Sequence, residues 1–372
     1  MAIDKRGRKL PKGIRQKGNR LEGRFMYREQ SYSVYGDTVK EVQTKMSELK
    51  YKLEHGLFVE KKRLILDEWF HTWMETYKRN QVKTGTFITY EKYYDYAIKE
   101  HLGKKYLTEI RGEHIQKLYN DLNKQGYATS SIHLVHVVLK GCFQQAFKNG
   151  LVERNPVSLV ELPRQKEKEE KQAMTKEQQA LFMEYAKGSY LYNLFATMLR
   201  TGLRIGEVIG LKYSDIDKKN NMLHVQRTLK YVEHIGFLED TPKTRTSKRD
   251  IPLTAAMLQL LEEQKRFYGF KVEKIDRYLF CNENGEPLHR NRVQGEINRI
   301  IKQIKQDGNE FIHVTPHTFR HTFATRAIES GMQPQTLKTI LGHSSLAMTM
   351  DLYSHVMADT KRNEMEKIEN AF

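Results

Sequence analysis

The chain has 372 residues, of which 63 are Lys or Arg and 46 are Asp or Glu, giving a formal net charge of +17. This basic excess indicates a polyanionic partner, most often nucleic acid, although anionic membranes attract the same charges. The sequence has no apolar run of the roughly 18 residues that a membrane span needs and no apolar signal core at its start. Its two cysteines, Cys142 and Cys281, are too far apart in sequence to suggest a disulfide framework or a zinc site. We therefore expect a soluble, cytosolic protein that contacts nucleic acid and no membrane.

The first 60 residues have the pattern of a small basic module. Three β-like pieces alternate with hairpin turns at Gly18–Asn19 and Glu29–Gln30, and a helix is predicted from about Thr38. The pieces span residues 13–15, 24–28 and 32–36. A disordered basic tail, the alternative, fits the first ten residues better than the rest. We therefore expect a three-stranded sheet packed on one helix. Four side chains are expected on its strands as DNA contacts: Arg15, Arg24, Tyr27 and Arg28.

Residues 64–163 have the pattern of four helices, which make a compact bundle. Aromatic and aliphatic residues recur at helical spacing, and we interpret these stripes as core rather than as a cofactor site. The second helix is predicted from Thr86 and the fourth from Thr129. Residues 164–171 are all charged or polar and follow a proline, which predicts an exposed linker.

Residues 172–372 predict a mixed, mainly α-helical domain with a small antiparallel sheet. A capping box beginning at Thr175 opens its first helix. Alternating residues at 222–232 and 248–253 predict strands. The segment 227–241 between those strands is longer than a minimal hairpin.

Four short segments of this last domain, followed by one tyrosine, carry the chemistry. They are residues 201–207 (TGLRIGE), 242–249 (PKTRTSKR), 317–321 (HTFRH), 341–343 (LGH), and then Tyr353. Singly, each is unremarkable in a folded protein: Arg204 fits a surface arginine and Tyr353 a core tyrosine. Together and in this order they resemble the tyrosine recombinase family, also called phage-type integrases. The resemblance is close from Met174 onward. The N-terminal module resembles that of conjugative-transposon integrases. The segment 227–241 resembles the β-hairpin insertion of those integrases, and an ordinary surface loop is the alternative.

The resemblance implies a site-specific DNA recombinase that integrates and excises a mobile element through a 3′-phosphotyrosyl intermediate. Tyr353 is then the nucleophile, His317 its general base and Lys243 the general acid for the departing 5′ hydroxyl. Arg204, Arg320 and His343 hold the non-bridging oxygens of the phosphate. Because the bond made has an energy similar to that of the bond broken, the reaction needs no ATP, metal ion or other cofactor.

The resemblance also implies a domain order and a set of partners. The expected domains are an arm-type DNA-binding domain at 1–60, a SAM-like core-binding bundle at 64–163, a linker at 164–171 and a catalytic domain at 172–372. The expected partners are double-stranded DNA with core and arm sites, a homotetramer on that DNA, and an excisionase or host DNA-bending protein. Residues 357–372 are expected to dock on a neighbouring protomer, and packing in cis remains the alternative.

Other interpretations of single residues are weaker. His317 and His321 have the spacing of metal ligands on one helix face, but no third ligand of a known motif is near them, and Arg320 opposes a cation. Glu207 resembles a catalytic acid, yet one helical turn after Arg204 it is better suited to orienting that arginine. For the whole chain, the alternatives are a catalytically silent architectural protein of the same fold and a topoisomerase. The filled catalytic set favours an enzyme, and the arm-like module favours fixed attachment sites.

Overall fold

The computed structural model describes residues 2–5, 7–55, 64–164, 172–233, 235–240, 248–267 and 277–356. The chain divides into two compact units, residues 1–168 and 169–372. None of the helices in the described ranges is long and apolar enough to cross a membrane. Most of the linker, the segment 241–247 with Lys243, and the tail 357–372 lie outside the described residues.

An antiparallel sheet of order β1–β2–β3 begins the first unit. Its strands are β1 (Ile14–Lys17), β2 (Arg20–Tyr27) and β3 (Gln30–Gly36), and helix α1 (Val39–Glu54) packs on one face. The Thr38 hydroxyl accepts the Glu41 amide and so caps α1 at its predicted start. A small core between sheet and helix contains Leu10, Ile14, Leu21 and Val42. The predicted three strands and helix are confirmed.

The second hairpin turn lies one residue earlier than predicted. Arg28 and Glu29 occupy it with φ of 44° and 66°, because a two-residue turn between twisted strands needs positive φ at both central positions. The expectation that Arg28 lies on a strand is therefore wrong. Arg15 and Arg24 do lie on strands. Since side chains alternate across a sheet, both face away from α1, whereas Tyr27 points to the face that α1 covers.

The helical bundle of the first unit contains four α-helices, two of which continue into π-helical turns. They are α2 (Leu66–Thr72) with its continuation Trp73–Lys78, α3 (Thr84–Tyr93) with its continuation Tyr94–Gly103, α4 (Gly112–Lys124) and α5 (Thr129–Lys148). The second helix thus begins at Thr84 rather than at Thr86. The aromatic stripes are core, as predicted: the rings of Phe70 and Tyr94 stack with centroids 3.7 Å apart, and the Trp69 indole donates to the Cys142 carbonyl at 3.1 Å.

The second unit surrounds two small antiparallel sheets with helices. One sheet has the order β4–β5–β8 and the other is the hairpin β6–β7. In chain order the elements are α6 (Lys176–Ala186), α7 (Tyr192–Thr201), α8 (Ile205–Ile209), β4 (Ile216–Asp217), β5 (Met222–Val225), β6 (Thr228–Val232), β7 (Gly236–Asp240), β8 (Arg249–Pro252), α9 (Ala255–Phe267), α10 (Arg290–Gln306), α11 (Pro316–Glu329), α12 (Pro334–Leu341) and α13 (Ala347–Val356). The capping box at Thr175 is present. The predicted fold class is confirmed.

The core of the second unit fixes the helices that carry the site. Phe319 of α11 is buried and packs on Phe182 and Phe195, with ring centroids 5.3 Å and 5.4 Å away. This contact orients α11, so that the adjacent Arg320 has a fixed position. A smaller apolar cluster joins α11, α12 and α13, and it contains Ala324, Ala327, Ile328, Leu337, Leu341 and Tyr353.

Candidate active site

Arg204 owes its position to a tight reversal between α7 and α8. Gly202 ends α7 with φ of 64°, and a Cβ there would lie 2.4 Å from a ring carbon of Phe323, so only glycine fits. Arg204 then caps α8, and the Glu207 carboxylate accepts both its backbone N–H and its Nη1, each at 2.9 Å. The Arg204 side chain is 39% exposed. Its guanidinium is therefore held by Glu207 and remains accessible to a ligand.

Arg320 is the buried member of the set. Its Nη1 donates to the Gly202 carbonyl at 2.9 Å and its Nη2 to the Leu341 carbonyl at 2.7 Å. Burial first, and then the neighbouring Arg204 cation, lower the pKa of Arg320 to about 9. The group is still a cation at neutral pH, and it lies in surroundings that favour an added anion.

Three arginines meet at the C-terminal end of α12. Its last carbonyls, those of residues 340–342, accept from Arg249 Nε at 2.5 Å, from Arg320 Nη2 at 2.7 Å, and from Arg204 Nη1 and Nη2 at 3.4 Å each. Unpaired carbonyls give a helix C-terminus partial negative charge, which stabilises cations there. The arginines are thus placed by backbone atoms directly before His343.

His343 follows this helix end and is buried. Its backbone N–H donates to the Lys338 carbonyl at 3.1 Å, and its Nδ1 lies 3.0 Å from the Thr349 hydroxyl. Burial first, and then the Arg320 and other arginine cations, lower the pKa of His343 to about 4, so the ring is neutral at pH 7. When the Thr349 hydroxyl donates to Nδ1, the ring proton is on Nε2 and is available to an oxygen ligand.

Glu207 is the carboxylate at the centre of the cluster. Burial alone raises its pKa, but the hydrogen bonds and charge of Arg249, followed by those of Arg204, outweigh burial and lower the pKa. Glu207 is therefore an anion shared by two guanidinium groups, which confirms that it contacts Arg204 but gives it a second partner that the sequence did not predict. Three guanidinium groups around one carboxylate leave the cluster with an excess of positive charge. Such a cluster favours a phosphate ligand.

His317 lies with Arg204 in the wall of an open cleft of about 930 Å³. The His317 side chain is exposed, and its ring meets that of His321 edge-on at 4.8 Å. Two further basic residues, Arg290 and His313, line the same cleft. Neither residue belongs to any of the motifs, so sequence analysis did not identify them. In the described part of the chain, no three His, Cys, Asp or Glu side chains are grouped so that they could hold a metal ion.

Tyr353 is placed in the small apolar cluster of α11, α12 and α13. It is 8% exposed, and its hydroxyl donates to the Met332 carbonyl, in the turn between α11 and α12. Burial raises the pKa of Tyr353. The structure thus brings Arg204, Arg320 and His343 together, and it holds the phenol on a backbone carbonyl. Lys243 lies outside the described residues.

On the N-terminal sheet, the outward face carries a second carboxylate with basic neighbours. Glu22 accepts from Arg15 Nε at 2.6 Å, from the Tyr35 hydroxyl at 2.8 Å and from Lys17 Nζ at 3.4 Å. Hydrogen bonds from Arg15 and then from Tyr35 lower the pKa of Glu22 to about 2. Arg24 Nε donates to the Ser31 hydroxyl at 2.6 Å. This basic face is open on the side away from α1.

Comparison with known proteins supplies relatives for both units. The phage integrase family model matches residues 171–359, and the model of the SAM-like N-terminal domain of phage integrases matches residues 65–123. A tyrosine recombinase XerC-like protein of Caldanaerobacter subterraneus subsp. tengcongensis is 30% identical over 364 residues, which cover 91% of this chain and 91% of that protein. The transposase from transposon Tn916 of Enterococcus faecalis is 27% identical over 393 residues, which cover 98% and 96%. The integrase of transposon Tn1549, solved in complex with a circular intermediate DNA, matches with a TM-score of 0.71 and 26% identity, over 82% of this chain and 99% of that chain.

Proposed function

The chain belongs to the phage integrase family of tyrosine recombinases, and we propose that its Arg204, Arg320 and His343 hold the DNA phosphate at which it cuts and rejoins strands. It is a site-specific recombinase, an enzyme of the kind that integrates and excises mobile elements. The observation that carries the catalytic assignment is the convergence of these three side chains at the end of α12, in a cluster with excess positive charge.

The three side chains answer the charge that develops during the reaction. Attack on a phosphodiester places additional negative charge on its non-bridging oxygens in the transition state. Arg204 and Arg320 present planar donors that match two such oxygens, and the neutral His343 donates one hydrogen bond without adding charge. Because Arg204 and Arg320 are already oriented by backbone carbonyls and the His343 ring by the Thr349 hydroxyl, little reorganisation accompanies the reaction.

The covalent step is a transfer between two oxygens. Before it, the Tyr353 hydroxyl leaves the Met332 carbonyl. His317 takes the phenol proton, and the phenolate oxygen bonds to phosphorus while the bond to the 5′ oxygen breaks. Lys243 gives that oxygen a proton, so a 3′-phosphotyrosyl bond and a free 5′ hydroxyl result. The 5′ hydroxyl of another strand then reverses these steps, and the phosphodiester is restored without ATP or a metal ion.

The remaining parts of the chain suit DNA binding at two kinds of site. In this proposal residues 1–60 bind arm sites through the outward sheet face with Arg15 and Arg24, and residues 64–163 and 172–372 bind the core site from either side of the linker 164–171. The hairpin β6–β7 lies along the DNA. Four copies assemble on paired sites, with an excisionase or host DNA-bending protein setting direction.

Tyr353→Phe tests the nucleophile. We expect the variant to form no covalent adduct with a nicked suicide duplex that carries the core site, while duplex binding stays within a few-fold of the wild-type value. The reason is that the phenol oxygen makes the new bond but contributes little to a large electrostatic interface. Adducts are counted on denaturing gels, with and without excess EDTA.

Tyr185→Phe is the matched control, since it also removes one hydroxyl, which donates to Asp307 at 2.5 Å in the same unit. It should form adducts like the wild-type protein. An adduct that persists in Tyr353→Phe refutes the assignment. Loss of wild-type cleavage in EDTA refutes the metal-free mechanism, and a wild-type protein that binds the duplex but never captures it is an architectural protein.

A further inference from the structure

We propose that Arg249 is a positioning residue for strand cleavage: it neutralises Glu207 and holds the last turn of α12, which leads to His343, so that the Arg204 charge stays available to the scissile phosphate. The proposal rests on the function proposed above. It concerns a residue outside the catalytic set, at the start of β8, six positions after Lys243 in the sequence.

The Arg249 guanidinium joins two segments that are far apart in the chain. Its Nη2 and Nη1 donate to the two Glu207 oxygens at 2.8 Å and 3.1 Å, and its Nε donates to the Ile340 carbonyl at 2.5 Å. The side chain is only 3% exposed. It therefore does not reach a DNA backbone in the cleft and acts through the groups that it holds.

Glu207 explains why the pairing matters for chemistry. Its Oε1 is shared between Arg204 Nη1 at 2.9 Å and Arg249 Nη1 at 3.1 Å. Without Arg249 the full carboxylate charge faces Arg204 alone. Arg204 then pairs fully with Glu207, which neutralises the Arg204 charge. With Arg249 present, most of the Arg204 charge is available to a phosphate.

The second contact fixes the backbone that leads to His343. A Cβ on Gly342 would lie 3.1 Å from Arg249 Nη1, and Gly342 has φ of 64°. Glycine at this position thus allows the guanidinium to lie directly against the peptide before His343. An ammonium group is a point donor on a flexible stem, so a lysine at 249 can serve the carboxylate or the carbonyl but not both in this geometry.

The experiment compares two suicide duplexes that differ in one substituent on the scissile phosphorus. One carries the ordinary phosphodiester, and the other carries a methylphosphonate, in which a methyl group replaces one non-bridging oxygen and removes the charge that the phosphodiester has before attack. We expect Arg249→Gln, which removes the charge that neutralises Glu207, to bind both duplexes like the wild-type protein. On the phosphodiester its single-turnover cleavage should fall on the order of 100-fold, since loss of preorganised positive charge at the reacting phosphate has effects of that size. On the methylphosphonate the deficit relative to the wild-type protein should shrink to a few-fold.

Arg326→Gln is the matched control. Arg326 also joins a carboxylate, Glu329 at 2.8 Å, to a distant backbone carbonyl, that of Met174 at 2.6 Å, but it has no contact with the site. It should lower the melting temperature without lowering cleavage. Arg249→Lys is measured in parallel as a second variant at the site. Because it keeps a positive charge beside Glu207, its deficit on the phosphodiester should be smaller than that of Arg249→Gln.

Each outcome decides the matter. Cleavage by Arg249→Gln at the wild-type rate overturns the inference, as does a deficit that does not shrink on the methylphosphonate, because a residue that only stabilises the fold affects both duplexes equally. If neither variant at 249 melts cooperatively, Arg249 is required for folding and the inference is also overturned. A wild-type protein that forms no adduct on the phosphodiester refutes the proposed function instead.

Discussion

The N-terminal sheet and the catalytic unit use the same device in different surroundings. In each, a carboxylate sunk among basic side chains orients them: Glu22 holds Arg15 and Lys17, and Glu207 holds Arg204 and Arg249. The two basic partners of Glu22 are each 55% exposed, whereas Arg249 is 3% and Arg204 39% exposed.

The difference in exposure determines whether each cluster contributes mainly to ligand binding or to stability and catalysis. Exposed ion pairs are screened by water and salt and contribute little to stability, so the pairs at Glu22 mainly direct basic groups toward a ligand. A buried pair is costly to break, because it leaves a charge without a partner. We therefore expect changes in the catalytic cluster to alter rates by orders of magnitude, and changes on the sheet to alter affinity by small factors.

Arg204→Lys should have the largest effect. It keeps the charge but replaces a planar fork by a point donor, which cannot hold both Glu207 and a phosphate oxygen, so cleavage of the suicide duplex should fall on the order of 1,000-fold. Single-turnover kinetics measure this loss. Arg200→Lys, an exposed arginine at the end of α7, is the control and should cleave normally. Near-normal cleavage by Arg204→Lys means that Arg204 does not hold the phosphate.

Glu22→Gln should have a smaller effect, on binding alone. Without the carboxylate, Arg15 and Lys17 lose their common acceptor and the sheet face gains positive charge. We expect the affinity for a duplex that the wild-type protein selects from a random pool to fall a few-fold. The affinity for a duplex of scrambled sequence should stay equal or rise. Fluorescence anisotropy measures both. Glu29→Gln makes the same charge change in the exposed turn, and if it lowers discrimination equally, the geometry at Glu22 has no part in recognition.

The smallest effect is expected from pH at His343. Its pKa is lowered to about 4 by burial and then by the arginine cations, Arg320 foremost. The ring is therefore neutral from about pH 5 to about pH 8, and the pH profile of cleavage in that range should have the same shape in the wild-type protein and in His343→Gln. An inflection near the ordinary value of 6.5 that only the wild-type protein shows would contradict the buried, neutral ring.

The same shift has a defined consequence for stability. Because the folded pKa lies below the unfolded one, the unfolded chain takes up the proton first as the pH falls. The stability associated with neutral His343 is thus complete above pH 6.5 and is lost as the pH falls toward 4, by at most about 3 kcal/mol. Thermal melts of the wild-type protein and His343→Gln over this range measure that loss.

The sequence predicts best what depends on local patterns. Helix caps at Thr38 and Thr175 and the apolar stripes of the bundle follow from rules that act over a few residues, and the structure confirms them. The convergence of Arg204, Arg320 and His343 was predictable only through the resemblance, since the three lie more than a hundred residues apart at the extremes.

What the sequence did not predict depends on tertiary packing. The turn was predicted one residue later than Arg28–Glu29, where it lies, because any short polar pair fits the turn pattern. The strand register decides which pair forms the turn. Arg249 lies with Ile251 on the buried face of β8. In the sequence, however, it is only one more basic residue in a basic segment. The position of Tyr353 depends on how α13 packs on α11 and α12, and no local sequence rule determines that packing.

The way in which α12 ends determines which amino-acid substitutions this part of the protein tolerates. The three arginines there are held by the carbonyls of residues 340–342, and every amino acid supplies a carbonyl. The side chains of residues 340 and 341 are therefore free to vary with the core that they fill, without loss of the acceptors. The constraint falls instead on Gly342 and Gly202, whose positive φ and close neighbours exclude a side chain. Mutational drift should accordingly spare these two glycines as strictly as the arginines themselves.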